Sequence, residues 1–297
     1  MPSCSKAELT VRRARPLLGT LVEIRAAGRR EPRLVAAVNA AFATVERVHR
    51  LMSFHEASSD VSRLNFGAAR RPVRVHAWTR LVLRRASRLH AETGGVFDIA
   101  VAPSLIRGGW LPCTATPPEN PGTTADIVVR RDGRVNFRRP LLIDLGGIAK
   151  GFAVDCAVAA LRRHRVPFAV VNAGGDLRVV GTRPERVHVR LPESPGRLRP
   201  LVDLRDGAVA TSAHYHAERV VAGARRSPIF DPARQQLRGD RLSVSVQAPE
   251  CWLADALCKV VWLAGAGALP LLHRHGARAW VLDAGVAGRR KEARRAA

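Results

Sequence analysis

The sequence predicts an α+β fold: a single unit in which mixed or antiparallel sheets are packed by helices. Three observations carry that expectation. Apolar residues recur near the 3.6 period in two long stretches, short β-rich runs are separated by Asp-Gly and Gly-Gly turns, and no internal repeat or low-complexity linker divides the chain. With 297 residues, 46% of them hydrophobic, the chain can bury a substantial core in one large domain or two modest ones.

Residues 17–24 read as a strand and 32–52 as a helix, in which Leu34, Val35, Val38, Phe42, Val45, Val48 and Leu51 fall near the helical period. A polar loop follows over 53–62. A second helix is expected over 76–92, with Leu81, Leu83, Ala86 and Leu89 inward and Gly94-Gly95 as its stop. The run 103–121, rich in Pro, Gly and Thr, is expected to be irregular. Residues 126–129 and 134–137 flank Asp132-Gly133, a pair that suits the tight turn between twisted strands. Residues 166–171 and 176–181 read as strands joined by Asn172-Ala173-Gly174-Gly175. Several short β segments are expected over 187–212, a helix over 254–263 and a last strand over 277–283. The domain is expected to span 16–284, with 1–15 and 285–297 as basic, flexible tails.

The formal charge of +24 points to an anionic partner, either nucleic acid or a phosphorylated small molecule. The arginines are spread evenly in pairs such as Arg29-Arg30 and Arg225-Arg226, with no basic helical stripe and no aromatic-basic interleaving. Coding bias accounts for them, and no specific nucleic-acid partner is expected. Residues 1–15 carry no apolar run, so neither a secretory signal nor a lipoprotein leader is read there. No stretch approaches the roughly 20 uninterrupted apolar residues of a membrane helix. A cytoplasmic protein is expected. Its cysteines are odd in number and scattered, which argues against a disulfide framework or structural zinc.

The densest signal for chemistry lies between Ile143 and Asp155. An apolar strand is expected to end at Asp144, turn on Gly146-Gly147 and enter a helix carrying Lys150. Backbone N–H groups on such a turn can approach a phosphate, and a helix start favours anions. Lysine usage sharpens the point, since Lys6, Lys150, Lys259 and Lys291 are the only lysines. Lys150 is either a compact charge that a planar guanidinium cannot replace or a residue retained by chance on a solvated face. Small or acidic residues also gather at expected strand ends within 52–65, 93–103, 172–176 and 210–215, and loops of this kind commonly assemble ligand sites. Within the second of these, Phe97 and Asp98 read on spacing alone as a buried ring beside a helix-capping carboxylate.

Taken together, these segments resemble the ApbE family of FAD:protein FMN transferases. The matches run in family order through Pro16-Leu17-Leu18-Gly19-Thr20, Met52-Ser53, Ser59-Asp60-Val61-Ser62-Arg63-Leu64-Asn65 and Thr93-Gly94-Gly95-Val96-Phe97-Asp98-Ile99. They continue through Asp144-Leu145-Gly146-Gly147-Ile148-Ala149-Lys150-Gly151, Asn172-Ala173-Gly174-Gly175-Asp176, Ala210-Thr211-Ser212, Phe230-Asp231-Pro232 and Ala254-Asp255-Ala256-Leu257. The resemblance implies that FAD lies along the glycine loops with magnesium bridging its phosphates. FMN would then pass to a threonine hydroxyl of a target flavoprotein, releasing AMP. By motif position, Met52, Asn65, Val96, Phe97, Asp98, Asp144 and Lys150 would contact FAD, while the Gly147 carbonyl and the Asp255 carboxylate match the metal ligands; oxygen donors suit magnesium. Trp110 would either flank a ring of FAD or be a plain core or rim tryptophan.

The chain departs from the family at three positions. Lys259 stands where a threonine usually follows the metal-binding aspartate by one helical turn. Its ammonium offers donors alone, so it would either take the cation's place beside Asp255 or form an ordinary surface pair. Pro228 replaces a histidine expected to accept the threonine's proton. His214 replaces an acidic residue, and would be a substitute base or a solvated loop histidine. On the family's chemistry, Asp255, Lys259 and His214 are the candidate catalytic residues. Two functions from different classes therefore compete: an FMN transferase with altered metal dependence, and an FAD-binding protein that has lost transfer and serves storage, sensing or partner binding. A basic nucleic-acid-binding protein would rest on charge alone.

Overall fold

A computed structural model of the chain describes residues 8–113, 117–119, 121–181, 183–284 and 291–292. Strands β1 (Leu9–Leu17) and β2 (Thr20–Gly28) open the fold as a hairpin. Its turn is Leu18-Gly19, both at positive φ (57° and 71°), the backbone that a two-residue hairpin turn needs. The expected strand over 17–24 is thus two strands, and residues 9–15 are not a tail. Their arginines hide the signal because β1 is an edge strand with mostly exposed side chains, held by its backbone ladder to β2.

Helix α1 (Glu31–Met52) follows, with Pro in its first turn and Leu34, Val38, Phe42, Val45, Val48 and Met52 buried. The short α2 (Asp60–Gly67) is capped by Ser59, whose side chain accepts from Ser62 N at 3.0 Å. After β3 (Val73–Arg74) comes α3 (Ala77–Glu92). Leu83, Ala86 and Leu89 are buried on α3 as expected, whereas Leu81 is 40% exposed and Val82 takes the inward position. The buried stripe steps from Thr79 through Val82 and Leu83, and Leu81 falls beside it. Helix α4 (Ala102–Arg107) occupies part of the run expected to be irregular, since Pro103 in its first turn fits a helix start.

Strands β4 (Ile127–Val129) and β5 (Arg134–Phe137) form the Asp-Gly hairpin, and β3 joins β5. Helix α5 (Ala149–Arg163) precedes β6 (Phe168–Ala173) and β7 (Asp176–Val180), then the arm β8 (Glu185–Leu191) and β9 (Ser194–Leu204), then β10 (Ala208–Ala213). Two small hairpins follow, β11 (Arg219–Val221) with β12 (Ala224–Arg226), and β13 (Phe230–Asp231) with β14 (Gln236–Leu237). The chain ends through β15 (Leu242–Ala248), α6 (Cys251–Ala264), α7 (Leu269–Arg274), β16 (Arg278–Asp283) and β17 (Lys291–Glu292). The pairing of β17 with β16 puts residues 291 and 292 in the sheet, not in the expected tail. The rest of 1–7 and 285–297 lies outside the described residues.

The main sheet has the order β1-β2-β6-β7-β10-β15-β16-β17, and all its neighbouring strands pair antiparallel. The period-2 alternation of strands gives this sheet two apolar faces. Ala169, Val171 and Ala173 of β6 with Ala208 and Ala210 of β10 face the main core with α1, α5 and α6. Phe168 and Val209 point the other way, into a small second core with Val187 and Leu204 of the β8–β9 arm. The run Cys251–Arg274 is long and apolar enough to cross a membrane by composition. Here it breaks at Gly265 (φ +55°), and α6 packs against α5, β10 and β15 as a core helix.

Candidate functional site

A cavity of about 960 Å³ opens where the β1–β2 turn, the start of α5, the β6–β7 turn and the β8–β9 arm converge. Its size is at the upper end for small-molecule sites and suits an extended ligand. Its lining includes the apolar side chains of Met52, Val96, Phe97, Trp110 and Leu111 together with Gly146, Gly147, Gly174, Gly175, Lys150 and Lys259.

The segment before α5 is not the strand expected there. Residues 140–145 form no ladder. They are held by loops: Asp144 N donates to the Ile99 carbonyl at 2.9 Å, and the Asn65 amide brackets Ile143, donating to its carbonyl (2.9 Å) and accepting from its N–H (2.8 Å). An apolar run flanked by turns looks like a strand, but tertiary contacts here replace the sheet partner. The same bonds give Asn65 a structural task. Its side chain is spent on the backbone, and it is not among the residues lining the cavity.

Asp144 does line the cavity. Its Oδ2 accepts from Gly146 N at 3.0 Å, which closes the glycine turn. Burial pushes its carboxyl above the usual range, against the pull of Gly146 N–H, Lys150, His55 and Lys259. Asp98 also lines the cavity, with Oδ1 accepting from Ala100 N (2.7 Å) and the Thr124 hydroxyl (2.6 Å), so it fixes its own loop. Met52, Val96, Phe97 and Trp110 line the cavity, and Trp110 is tied down by its indole N–H on the Ala217 carbonyl at 2.8 Å.

The backbone amides at the α5 start are less open than the sequence implies. Ala149 N–H bonds the Leu145 carbonyl (2.8 Å), and Gly151 N–H bonds Asp255 Oδ2 (3.1 Å). Positive charge comes instead from side chains. Lys150 Nζ lies 2.9 Å from Asp176 Oδ2, 3.7 Å from Asp255 Oδ2 and 3.3 Å from the Gly146 carbonyl. Burial works against its charge, yet Asp176 and Asp255 raise its pKa above the ordinary lysine value. Lys259 pairs with Asp255 Oδ1 one turn earlier on α6, and its ammonium also reaches the Asp255 carbonyl at 3.0 Å. Burial alone would raise the Asp255 carboxyl, but the two lysines hold it below its usual range. Asp176 moves the other way, raised by burial and by Asp255.

The cluster depends on Gly151. A Cβ there would stand 2.3 Å from the Cys251 carbonyl oxygen, so only glycine lets α5 approach the start of α6 closely enough for Gly151 N–H to reach Asp255.

These residues do not fit magnesium. Asp255 is fully buried and absent from the cavity wall, with Oδ1 on Lys259 and Oδ2 on Gly151 N–H. Lys259 supplies donors alone, and among the described residues no group of three His, Cys, Asp or Glu is placed to hold an ion. Of the two expected metal ligands, Asp255 is taken up by Lys259 and Gly151 N–H, while Gly147 lines the cavity. Of the two readings for His214, the solvated loop histidine is overturned by its burial. It is 4% exposed, its ring Nδ1 sits 3.3 Å from the Leu242 carbonyl, and it packs edge-on to Tyr215 behind the wall. Pro228 lines the cavity and has no group that accepts a proton. Asp176 was legible only as the carboxylate after a Gly-Gly turn; its bond to Lys150 had no signal in sequence.

The profile of the ApbE family matches residues 18–281. The FAD:protein FMN transferase of Vibrio cholerae is 28% identical over 247 residues, which make up 74% of this chain and 71% of that protein. The corresponding protein of Treponema pallidum is 28% identical over 284 residues, 85% of this chain and 78% of its own. The crystal structure of the ApbE protein of Thermotoga maritima superposes with a TM-score of 0.81 at 25% identity, covering 96% of this chain and 97% of that one.

Proposed function

The chain belongs to the ApbE family, and we propose that it transfers FMN from FAD to a threonine hydroxyl of a target flavoprotein, releasing AMP. The observation that carries this is the mixed lining of the cavity. Two ammonium groups and four glycines line it together with Phe97, Trp110 and neighbouring apolar side chains. A dinucleotide with a pyrophosphate and a flat ring system matches that lining. Lys150 and Lys259 would sit at the pyrophosphate, with Met52, Val96 and Phe97 along the rings and Asp98 and Asp144 fixing the loops beside them.

In the transfer, the threonine oxygen bonds to the flavin-side phosphorus and the bond from that phosphorus to the bridging oxygen breaks. The bridging oxygen leaves with AMP, and the hydroxyl proton passes to solvent or to the leaving phosphate. Positive charge held at the pyrophosphate stabilises the oxygens that gain charge, and this is the main aid a protein gives phosphoryl transfer.

Pro228 at the wall and His214 behind it favour a second function, FAD binding without transfer, because neither offers a base to the cavity. One assay decides. The purified protein is mixed with FAD and a threonine-bearing flavoprotein domain, and mass spectrometry and chromatography follow covalent FMN and free AMP. Both products support transfer; tight FAD binding with neither product leaves the binding function alone.

A further inference from the structure

Lys150 and Lys259, two of the four lysines in the chain, meet opposite oxygens of one buried carboxylate. Asp255 is 0% exposed and Asp176 3%, whereas both lysine side chains line the cavity. Within this cluster the two carboxylates therefore lie behind the wall and the two ammonium groups at its surface. The Lys259 stem runs over the glycine turn, with its Cε 3.5 Å from where a Cβ of Gly147 would stand. The two-helix junction fixes all of this: Lys259 and Asp255 share a face of α6, and Asp255 is bonded to Gly151 N–H of α5.

Resting on the FAD reading above, we infer that the Lys150–Lys259 pair is a built-in cation site that takes the pyrophosphate directly, so that FAD binding needs no divalent metal. An ammonium carries three donors on a compact charge and can hydrogen-bond phosphate oxygens from a fixed position. Magnesium demands near-octahedral oxygen ligands. An ion bound to Asp255 Oδ1 would have to displace Lys259 or share the oxygen with a second cation, and like charges that close repel strongly.

The test is FAD affinity, not turnover. Binding is titrated by flavin fluorescence with EDTA and then with magnesium chloride, at matched ionic strength set with sodium chloride. The wild-type Kd is expected to agree within about twofold in the two conditions. Lys259→Thr, which returns an oxygen donor, is expected to bind FAD about tenfold or more weakly in EDTA and to recover with magnesium, a change of about 1.4 kcal/mol per tenfold. Lys259→Arg keeps the charge and is expected to remain indifferent to magnesium. A wild-type protein whose FAD affinity rises about tenfold with magnesium overturns the inference while leaving the FMN-transfer proposal standing, and this needs no variant to fold. Failure to bind FAD in either condition overturns both.

Discussion

Asn65 and Ile143 are joined by a reciprocal pair of hydrogen bonds of 2.8 and 2.9 Å, the side-chain amide of one residue closing on the backbone of the other. The pair does for residues 140–145 what a neighbouring strand does elsewhere, and it sets where Asp144 and the glycine turn stand relative to the cavity. Asn65→Ala leaves a buried N–H and carbonyl unpaired at Ile143. About 1–3 kcal/mol of stability should be lost, read by urea denaturation, with faster hydrogen exchange at Ile143. Unchanged exchange there would show that the segment is held by other means.

Gly151→Ala is expected to be severe. The new Cβ would meet backbone at Cys251, which cannot turn aside as a side chain can. Overpacking of this kind costs about 1–3 kcal/mol or more, and FAD affinity should fall along with the denaturation midpoint because the Asp255 contact opens. A variant with the wild-type midpoint would show that the α5–α6 junction gives way more easily than the 2.3 Å approach implies.

Asp255→Asn should cost about 3–5 kcal/mol at neutral pH, since it leaves two ammonium groups facing a neutral amide. Pairing lowers the folded-state pKa of Asp255. Its contribution is therefore present above the unfolded carboxyl value of about 3.9 and is lost as pH falls through the lower folded value. Asp176, whose pKa is raised, acts in the opposite sense: its penalty appears as pH rises above the unfolded value. Urea titrations from pH 3 to 7 should show wild type and Asp255→Asn converging in acid, and a constant gap across that range would contradict the assignment.

Lys150→Met removes both the cation at the cavity and the partner of buried Asp176. Adding Asp176→Asn should return part of the lost stability without returning FAD affinity. The double variant thereby separates the structural role of Lys150 from its role at the ligand. Recovery of both properties would leave Lys150 as scaffold alone.

His214→Gln should keep transfer within about threefold of wild type with an unchanged pH profile, because the ring bonds Leu242 behind the cavity wall. General-base contributions are about 100-fold or more, so a loss of that size in pre-steady-state transfer would place the imidazole in the chemistry.

Helices α1 and α3, the Asp132-Gly133 hairpin and the β6–β7 pair were legible because periodicity and turn residues are local properties of the chain. So was the glycine turn with Lys150 just beyond it, both of which line the cavity. The β1 strand leaves little signal in sequence because an edge strand is held by its backbone ladder and shows little apolar alternation, and α4 leaves little because Pro reads as a breaker when it also starts helices. The converse holds at 140–145, where an apolar run with the look of a strand is buried but has loops for neighbours.

The sequence by itself determined the α+β class, the family and the order of motifs around the cavity, since each depends on residues close together in the chain. Tertiary structure alone decided that Asn65 serves the backbone, that His214 stands behind the wall and that Asp255 is already paired with lysines. Side chains far apart in sequence meet only when α5 and α6 pack, and which oxygen faces which ammonium is a matter of distance in space that no local pattern encodes.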